Sequence, residues 1–275
     1  MNDFSKDNFE KLSEYIYRKS GIKLEYDKHY DKVNKKITSR CQILHFDSFR
    51  KYFFKIRFED KDSSEFQELI NSITVNETYF FRENHQFEIM VKYLMPIIDK
   101  EKRKGEPIRI LSAPCSTGEE PYSIAIYLLE DDTIINNRDI EIVGIDIDSV
   151  VIEKAKKGLY TDRSLHAVPK DIQTKYFKKT MGYNELSRDL RDAIVFLKSN
   201  VFDKDNMREL GKFDIIFSRN MLIYFDDESR KEVAMTFYDM LNPKGYIMLG
   251  HAEYMSRIVS VFHPLKYDNH LIYQK

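Results

Sequence analysis

Residues 111–125 read LSAPCSTGEEPYSIA, an apolar strand end, a run of small residues, and a helix predicted to start near Glu120 or Pro121. In an α/β sheet such a strand–turn–helix aims backbone N–H groups into the crevice beyond the strands' carboxyl ends, where ligands bind. Gly118 is the one glycine of the turn, so the dinucleotide fingerprint G-x-G-x-x-G is absent, and no Gly-Lys-Ser/Thr follows to form a P-loop. The adjacent carboxylates Glu119 and Glu120 oppose a phosphate here and suit a cationic or hydroxyl-bearing ligand.

Working outward, residues 108–111, 140–145, 213–217 and 246–249 are short apolar β-type runs. Helical segments at 124–129 and about 227–241 lie between them. Strands alternating with helices predict a doubly wound, mostly parallel sheet. A C-terminal hairpin is predicted from two short runs around the turn Tyr267-Asp268-Asn269. Residues 178–199 fit the alternation poorly and are read as a small β-insertion. Asp146 closes the second strand, placed to accept hydrogen bonds from ribose hydroxyls, while Asp148 is the better helix N-cap. Ser218-Arg219-Asn220 interrupts an otherwise apolar run at a strand end, a position that is often functional.

The first hundred residues read as helices. Phe9, Leu12 and Ile16 share one face, and Tyr30, Val33, Ile37, Cys41 and Leu44 form a second stripe. Asp47 is the expected cap of a short aromatic helix with Phe49, Phe53 and Phe54, and Ser64 with Gln67 fits a capping box. NETYFFRE, residues 76–83, lies between two helices, and KEKRKGEP, residues 100–107, reads as a linker.

The chain of 275 residues has 44 Lys plus Arg against 45 Asp plus Glu, a net charge of −1. Division by region exposes an imbalance: residues 1–60 hold 14 basic and 10 acidic side chains, net +4, and the remainder is net −5. With 19 Phe and 18 Tyr the chain has ample surface to bury, which excludes disorder. No apolar run approaches the ~18 residues of a membrane span, and the polar stretch MNDFSKDNFEKL resembles neither signal nor transit peptide. Cys41 and Cys115 form no ligand pattern, which argues for no metal site and for a cytoplasmic compartment.

NETYFFRE, SAPCSTGEEPYSIA, GIDID, FDIIFSRNMLIYFD and PKGYIMLGHAE, in this order and spacing, closely resemble the CheR-type chemotaxis receptor methyltransferases. The resemblance covers nearly the whole chain. It implies an α/β fold: a Rossmann-like S-adenosylmethionine methyltransferase domain with a C-terminal antiparallel hairpin and small β-subdomain, preceded by an all-α domain. The implied division is 1–75 for a receptor-docking domain, 76–107 for a reaction-site loop, helix and linker, and 108–275 for the methyltransferase domain, with the β-subdomain at about 178–199.

The implied activity is protein-glutamate O-methyl transfer from S-adenosylmethionine, giving S-adenosylhomocysteine and γ-glutamyl methyl esters for sensory adaptation, without a metal. By resemblance, Asn76, Thr78 and Arg82 approach the methionine end of the cofactor and Glu120 its sulfonium. Asp146 takes the ribose, Asn200 and Val201 the adenine, and Arg219 and Asn220 complete the pocket. Tyr224 lies close to the transferred methyl, and Arg82 and Tyr224 are the catalytic pair. Pro114 departs from the family's usual Gly or Ala and removes a donor from the loop.

The carboxyl acceptor is already ionised at neutral pH, with a reference pKa of ~4.3, so no general base is required. His85, His251 and Cys115 are read as structural or solvated. Lys28, Lys32, Lys35, Lys36 and Arg40 recur at helical spacing and form a candidate docking face for the acidic helical bundle of a chemoreceptor. The expected protein is a monomer with no nucleic-acid partner and no membrane insertion, and KKTMGYNELSRDL argues against dependence on a receptor tail peptide. Two rival readings are a same-fold methyltransferase acting on another protein, a small molecule or a nucleic acid, and a non-catalytic cofactor-binding signalling module.

Overall fold

The computed structural model describes residues 4–131 and 138–275. Helix α1 (Lys6–Ser20) starts where the Ser5 side chain accepts from the Asn8 N–H, and it ends at Gly21, at φ 72°. Helices α2 (Tyr26–Ile43), α3 (Phe49–Phe54) and α4 (Ser64–Ile73) follow. Phe9, Leu12 and Ile16 of α1, Val33, Ile37 and Cys41 of α2, and Leu69 and Ile70 of α4 form one buried core. Each such side chain contributes about 1.5–3 kcal/mol by leaving water.

Local capping differs from the sequence expectation at two helices. Ser48, not Asp47, caps α3, accepting from the Lys51 N–H, while the Asp47 carboxylate pairs with the Lys51 ammonium at 2.6 Å. At α4 the capping box does not form. Ser64 already lies inside the helix, and the Asp60 carboxylate reaches across the preceding turn to the N–H groups of Glu65 (3.1 Å) and Phe66 (2.8 Å). Gln67 instead donates to the Ile147 carbonyl at 2.8 Å, a contact between domains.

Helices α5 (His85–Ile89) and α6 (Met95–Glu101), joined through a π-helical turn, lead to the sheet. Its strands are β1 (Ile108–Ser112), β2 (Ile140–Asp146), β6 (Ile194–Lys198), β7 (Phe213–Ser218), β8 (Leu241–Leu249), β9 (His263–Tyr267) and β10 (His270–Gln274). Between β2 and β6 in the chain lie β3 (Leu159–Tyr160), β4 (Phe177–Thr180) and β5 (Tyr183–Leu186). The order β6-β2-β1-β7-β8-β10-β9 is parallel through β8, and the β9–β10 hairpin closes it antiparallel. All six residues of β7 are buried, as a central strand covered on both faces requires. Helices α7 (Glu119–Glu130) and α8 (Ser149–Lys157) follow β1 and β2.

The β-insertion is displaced from its expected position at 178–199. The separate three-stranded sheet is β3-β5-β4, whereas residues 194–198 pair in parallel with β2 as the edge of the main sheet. The two-residue strand β3 is too short to announce itself by alternation, and β6 alternates like a hairpin strand because one of its faces is open.

The predicted basic face is also redrawn. Lys32, Lys36 and Arg40 recur every four residues along α2, and α4 engages both ends of that row. Arg40 makes a two-pronged ion pair with the buried Glu65, its Nε–Oε1 contact being 2.9 Å, and lies 3.5 Å from Glu68. Lys32 donates to the Ile73 carbonyl at 3.2 Å. Arg40 is thus an internal ion-pair residue and not a docking residue. Lys28 pairs with Glu25 at the surface, and Lys35 and Lys36 are exposed. Arg40→Ala strands the Glu65 carboxylate and is expected to cost about 3 kcal/mol in urea denaturation, against about 0.5 kcal/mol or less for Lys35→Ala.

Candidate functional site

One cleft gathers the carboxyl ends of the parallel strands under the N-terminal domain. The Ala113–Gly118 turn follows β1 and crosses to its neighbours: the Ala113 N–H donates to the Phe217 carbonyl and the Cys115 N–H to the Ile145 carbonyl, both at 2.8 Å. Pro114 falls between these two donors, so its missing N–H breaks no bond of the loop, and its ring lines the cleft. Gly118 begins α7 at φ 93°, where a Cβ would meet the Ala155 Cβ at 2.9 Å. Only glycine allows that approach of turn and helix.

Two carboxylates face the cleft from this frame. Asp146, at the end of β2, accepts from the N–H groups of Ser116 and Asp148, each at 2.9 Å. Burial outweighs these bonds and pushes its carboxyl up to about 6. Glu120, in the first turn of α7, accepts from the Ser112 hydroxyl at 2.7 Å and pairs with Arg219 Nη1 at 3.0 Å. Burial raises its carboxyl, and the Arg219 guanidinium opposes the rise. Both groups retain lone pairs after these contacts.

Residues 74–83 form the opposite rim. Asp148 caps α8, and its other oxygen receives the Thr74 hydroxyl at 2.8 Å and the Asn76 amide at 2.7 Å. Ser116 Oγ donates to the Asn76 carbonyl at 3.1 Å. The Phe81 N–H donates to Ser123 Oγ of α7 at 3.0 Å, with Phe81 itself at φ 62°, an uncommon conformation for a large side chain. Arg219 reaches from the end of β7 to donate to the Arg82 carbonyl. The Arg82 guanidinium is left at the cleft, donating to the Glu77 carbonyl at 3.0 Å and lying 5.9 Å from the Tyr79 ring centroid.

The cleft brings together Asn76, Thr78, Arg82, Glu120, Asp146, Asn200, Val201, Arg219, Asn220 and Tyr224, ten positions from five separate stretches of sequence. Lys32 joins them at the rim, whereas Lys28, Lys35, Lys36 and Arg40 lie outside it. Tyr224 is partly exposed, and burial raises its phenol. Cys115 is fully buried, and that burial, reinforced by the Asp146 and Glu120 carboxylates, pushes its thiol well up and leaves it unreactive. His85 stacks on His270 at 3.7 Å between ring centroids, and His251 is exposed; neither ring lines the cleft.

Sequence reasoning missed the strap between α1 and α2. Ile22 bridges Phe225, the Lys23 N–H donates to the Tyr224 carbonyl at 3.2 Å, and Leu24 and His29 extend the wall. Asn200 Nδ2 donates to the Lys19 carbonyl at 2.8 Å from below. Gly21, which ends α1, lies against a distant segment: a Cβ there would strike the Phe202 ring at 2.8 Å.

The sheet order, the acidic strand end and the carboxylate-lined cleft form an α/β crevice site suited to a cationic, hydroxyl-bearing ligand. Residues 76–271 match the family described as CheR methyltransferase, SAM binding domain, and residues 7–74 match CheR methyltransferase, all-alpha domain. The chain belongs to the CheR methyltransferase family. It is 42% identical over 269 residues to chemotaxis protein methyltransferase 2 of Vibrio cholerae, covering 98% of this chain and 92% of that one. It is 34% identical over 259 residues to the chemotaxis protein methyltransferase of Salmonella typhimurium, covering 93% and 86%.

The donor set fits S-adenosylmethionine. Asp146 offers acceptors for vicinal hydroxyls, Glu120 offers negative charge for a sulfonium or ammonium group, and Ile145, Ile147 and Val201 offer apolar surface for a base. The raised Asp146 carboxyl gives a stability test. A folded carboxyl that binds its proton more tightly than the unfolded one contributes stability that is complete below 3.8 and is lost as pH rises through about 6. The stability of the wild type relative to Asp146→Asn is therefore expected to fall by roughly 3 kcal/mol between about pH 4 and about pH 7, read from paired urea titrations.

Proposed function

We propose that this chain methylates glutamate side chains of chemotaxis receptors, forming γ-glutamyl methyl esters that set sensory adaptation. The observation that carries this reading is the pairing of a buried acidic interior, Glu120 and Asp146, with a cationic and phenolic mouth, Arg82 and Tyr224. The interior suits a cationic donor and the mouth suits an anionic acceptor. When bound, S-adenosylmethionine supplies a methyl group activated by a positively charged sulfur.

The chain's own residues then have three tasks. Asp146, Glu120, Asn76 and Asn200 hold the donor, with Thr78, Val201, Arg219 and Asn220 completing its pocket. Arg82 holds one oxygen of the incoming carboxylate and leaves the other free to react, a task that its forked guanidinium performs better than lysine would. The partly exposed Tyr224 flanks the reacting centre, and the Ile22–Leu24 strap with Phe225 limits access of water. Opposite charges neutralise one another in this transfer, so a dry and aligned cleft favours it over water. Receptor approach falls to the exposed lysines of α2, Lys28, Lys35 and Lys36, with Lys32 at the cleft rim, facing an acidic helical surface.

Incubation of the full chain with methyl-labelled S-adenosylmethionine and receptor-containing membranes is expected to yield label that alkali releases as volatile methanol. Alkali-stable label would point to an N-methyl product and sink the carboxylate assignment. Arg82→Ala is expected to lower kcat by roughly 100-fold while changing cofactor affinity by only about twofold. Reversal of Lys35 and Lys36 to Glu is expected to raise KM for the receptor by about tenfold at low salt with kcat and cofactor affinity retained. An unchanged receptor KM would remove these lysines from the docking surface.

A further inference from the structure

The loop that carries Arg219, Asn220 and Tyr224 to the cleft is held from behind by a residue that does not line it. Glu253 is buried, at 7% exposure. Its Oε2 accepts from the N–H groups of Asn220 and Gly250, both at 2.9 Å, and its Oε1 accepts from the Leu222 N–H at 2.7 Å. Burial raises its carboxyl, and these backbone donors oppose the rise.

The geometry around this carboxylate is specific. Asn220 sits in the left-handed region at φ 57°, and the bond to its N–H fixes that conformation. A Cβ on Gly250 would meet the Asn220 nitrogen at 2.9 Å and its Nδ2 at 3.0 Å, so a glycine is needed for the turn to come so close. The Glu253 N–H donates to the Gly250 carbonyl at 2.9 Å, which closes the turn. On the far side, the Leu222 N–H begins the short 3-10 turn Leu222–Tyr224, whose next bond runs from the Tyr224 N–H to the Met221 carbonyl at 3.0 Å. One buried carboxylate therefore holds this segment at Asn220 and at Leu222, the residue that opens the turn carrying Tyr224.

Its role is not explained by the stability of the fold alone. Burying a carboxylate without a cation is costly, and an apolar side chain would fill the same space in a core at no such cost. What an apolar side chain cannot do is satisfy three converging backbone donors while holding a left-handed residue against the cleft.

We propose that Glu253 is a positioning residue for methyl transfer, whose carboxylate aims Asn220 and Tyr224 by fixing the backbone of residues 220–224. This role rests on the function proposed above. Glu253→Gln puts an NH2 donor where one of the acceptor oxygens stood, so at least one of the three backbone bonds is lost.

The full-length Glu253→Gln protein is tested for kcat and KM with S-adenosylmethionine and receptor membranes, alongside calorimetric titration of cofactor sites. The expected result is a full complement of cofactor sites, a kcat per site lowered by roughly 10- to 100-fold, and a raised KM for S-adenosylmethionine. A wild-type kcat per site, whether with all sites present or with fewer, would overturn the role, because a merely structural residue changes only the number of sites. If Glu253→Gln does not fold, Gly250→Ala keeps the carboxyl group while its Cβ crowds both Asn220 and Glu253 Oε2 and so strains their contact; it is expected to lower kcat per site similarly, and an unchanged value overturns the proposal. The wild type is the control: absence of methyl ester there overturns the proposed function and this role with it, whereas equal transfer by wild type and variant overturns the role of Glu253 alone.

Discussion

The buried ion pair between Arg219 and Glu120 is the constraint on which the rest of the cleft depends. Arg219 leaves the end of β7, Glu120 opens α7, and the 3.0 Å contact ties these adjacent strand ends together. The remaining reach of the guanidinium goes to the Arg82 carbonyl, with Glu83 at 3.8 Å, so the rim segment is anchored to the same cation. Loss of either partner would leave an uncompensated buried charge, a change that typically costs about 3–5 kcal/mol. Burial raises the Glu120 carboxyl, and the Arg219 guanidinium and the helix N-terminus both favour its negative form and oppose that rise.

Around that pair the charge is deliberately unequal. Among the described residues Asp146 has backbone donors and no cation in its carboxylate contacts, and Glu120 shares Arg219 with Glu83. The cleft therefore contains more negative than positive charge in its interior, while Arg82 and Lys32 stand at the rim. Such a gradient suits a cationic donor inside and an anionic acceptor at the mouth, and it needs no acid–base pair between them. The N-terminal domain is part of this arrangement. Its α1–α2 strap joins the segment bearing Tyr224, and its α4 exit segment shares Asp148 with Asn76.

Much of this was legible in the sequence because it follows from period and order. Alternating apolar strands and helices disclosed the sheet, and the turn at 111–125 disclosed its binding edge. The ordered motifs, read through family resemblance, named the cleft residues that the structure then brings together. What escaped has physical causes. Neighbouring polar residues compete for one cap, so Ser48 takes the place that Asp47 could equally fill, and Asp60 reaches α4 from outside the window of a capping box. Helical spacing places Arg40 beside a basic row but does not reveal that Glu65 of another helix lies opposite. Glu253 and the Gly21 strap act through contacts of long sequence separation, for which no local pattern exists. The small sheet was misplaced because β3 is two residues long and β6 has only one covered face.

Hydrogen exchange with and without S-adenosylmethionine tests most directly whether the two domains build one cofactor cleft. Slowed exchange is expected not only at residues 113–120 and 219–225 but also, in parallel, at the strap residues 20–24 of the N-terminal domain. Protection confined to the sheet domain, with residues 20–24 exchanging as before, would contradict it.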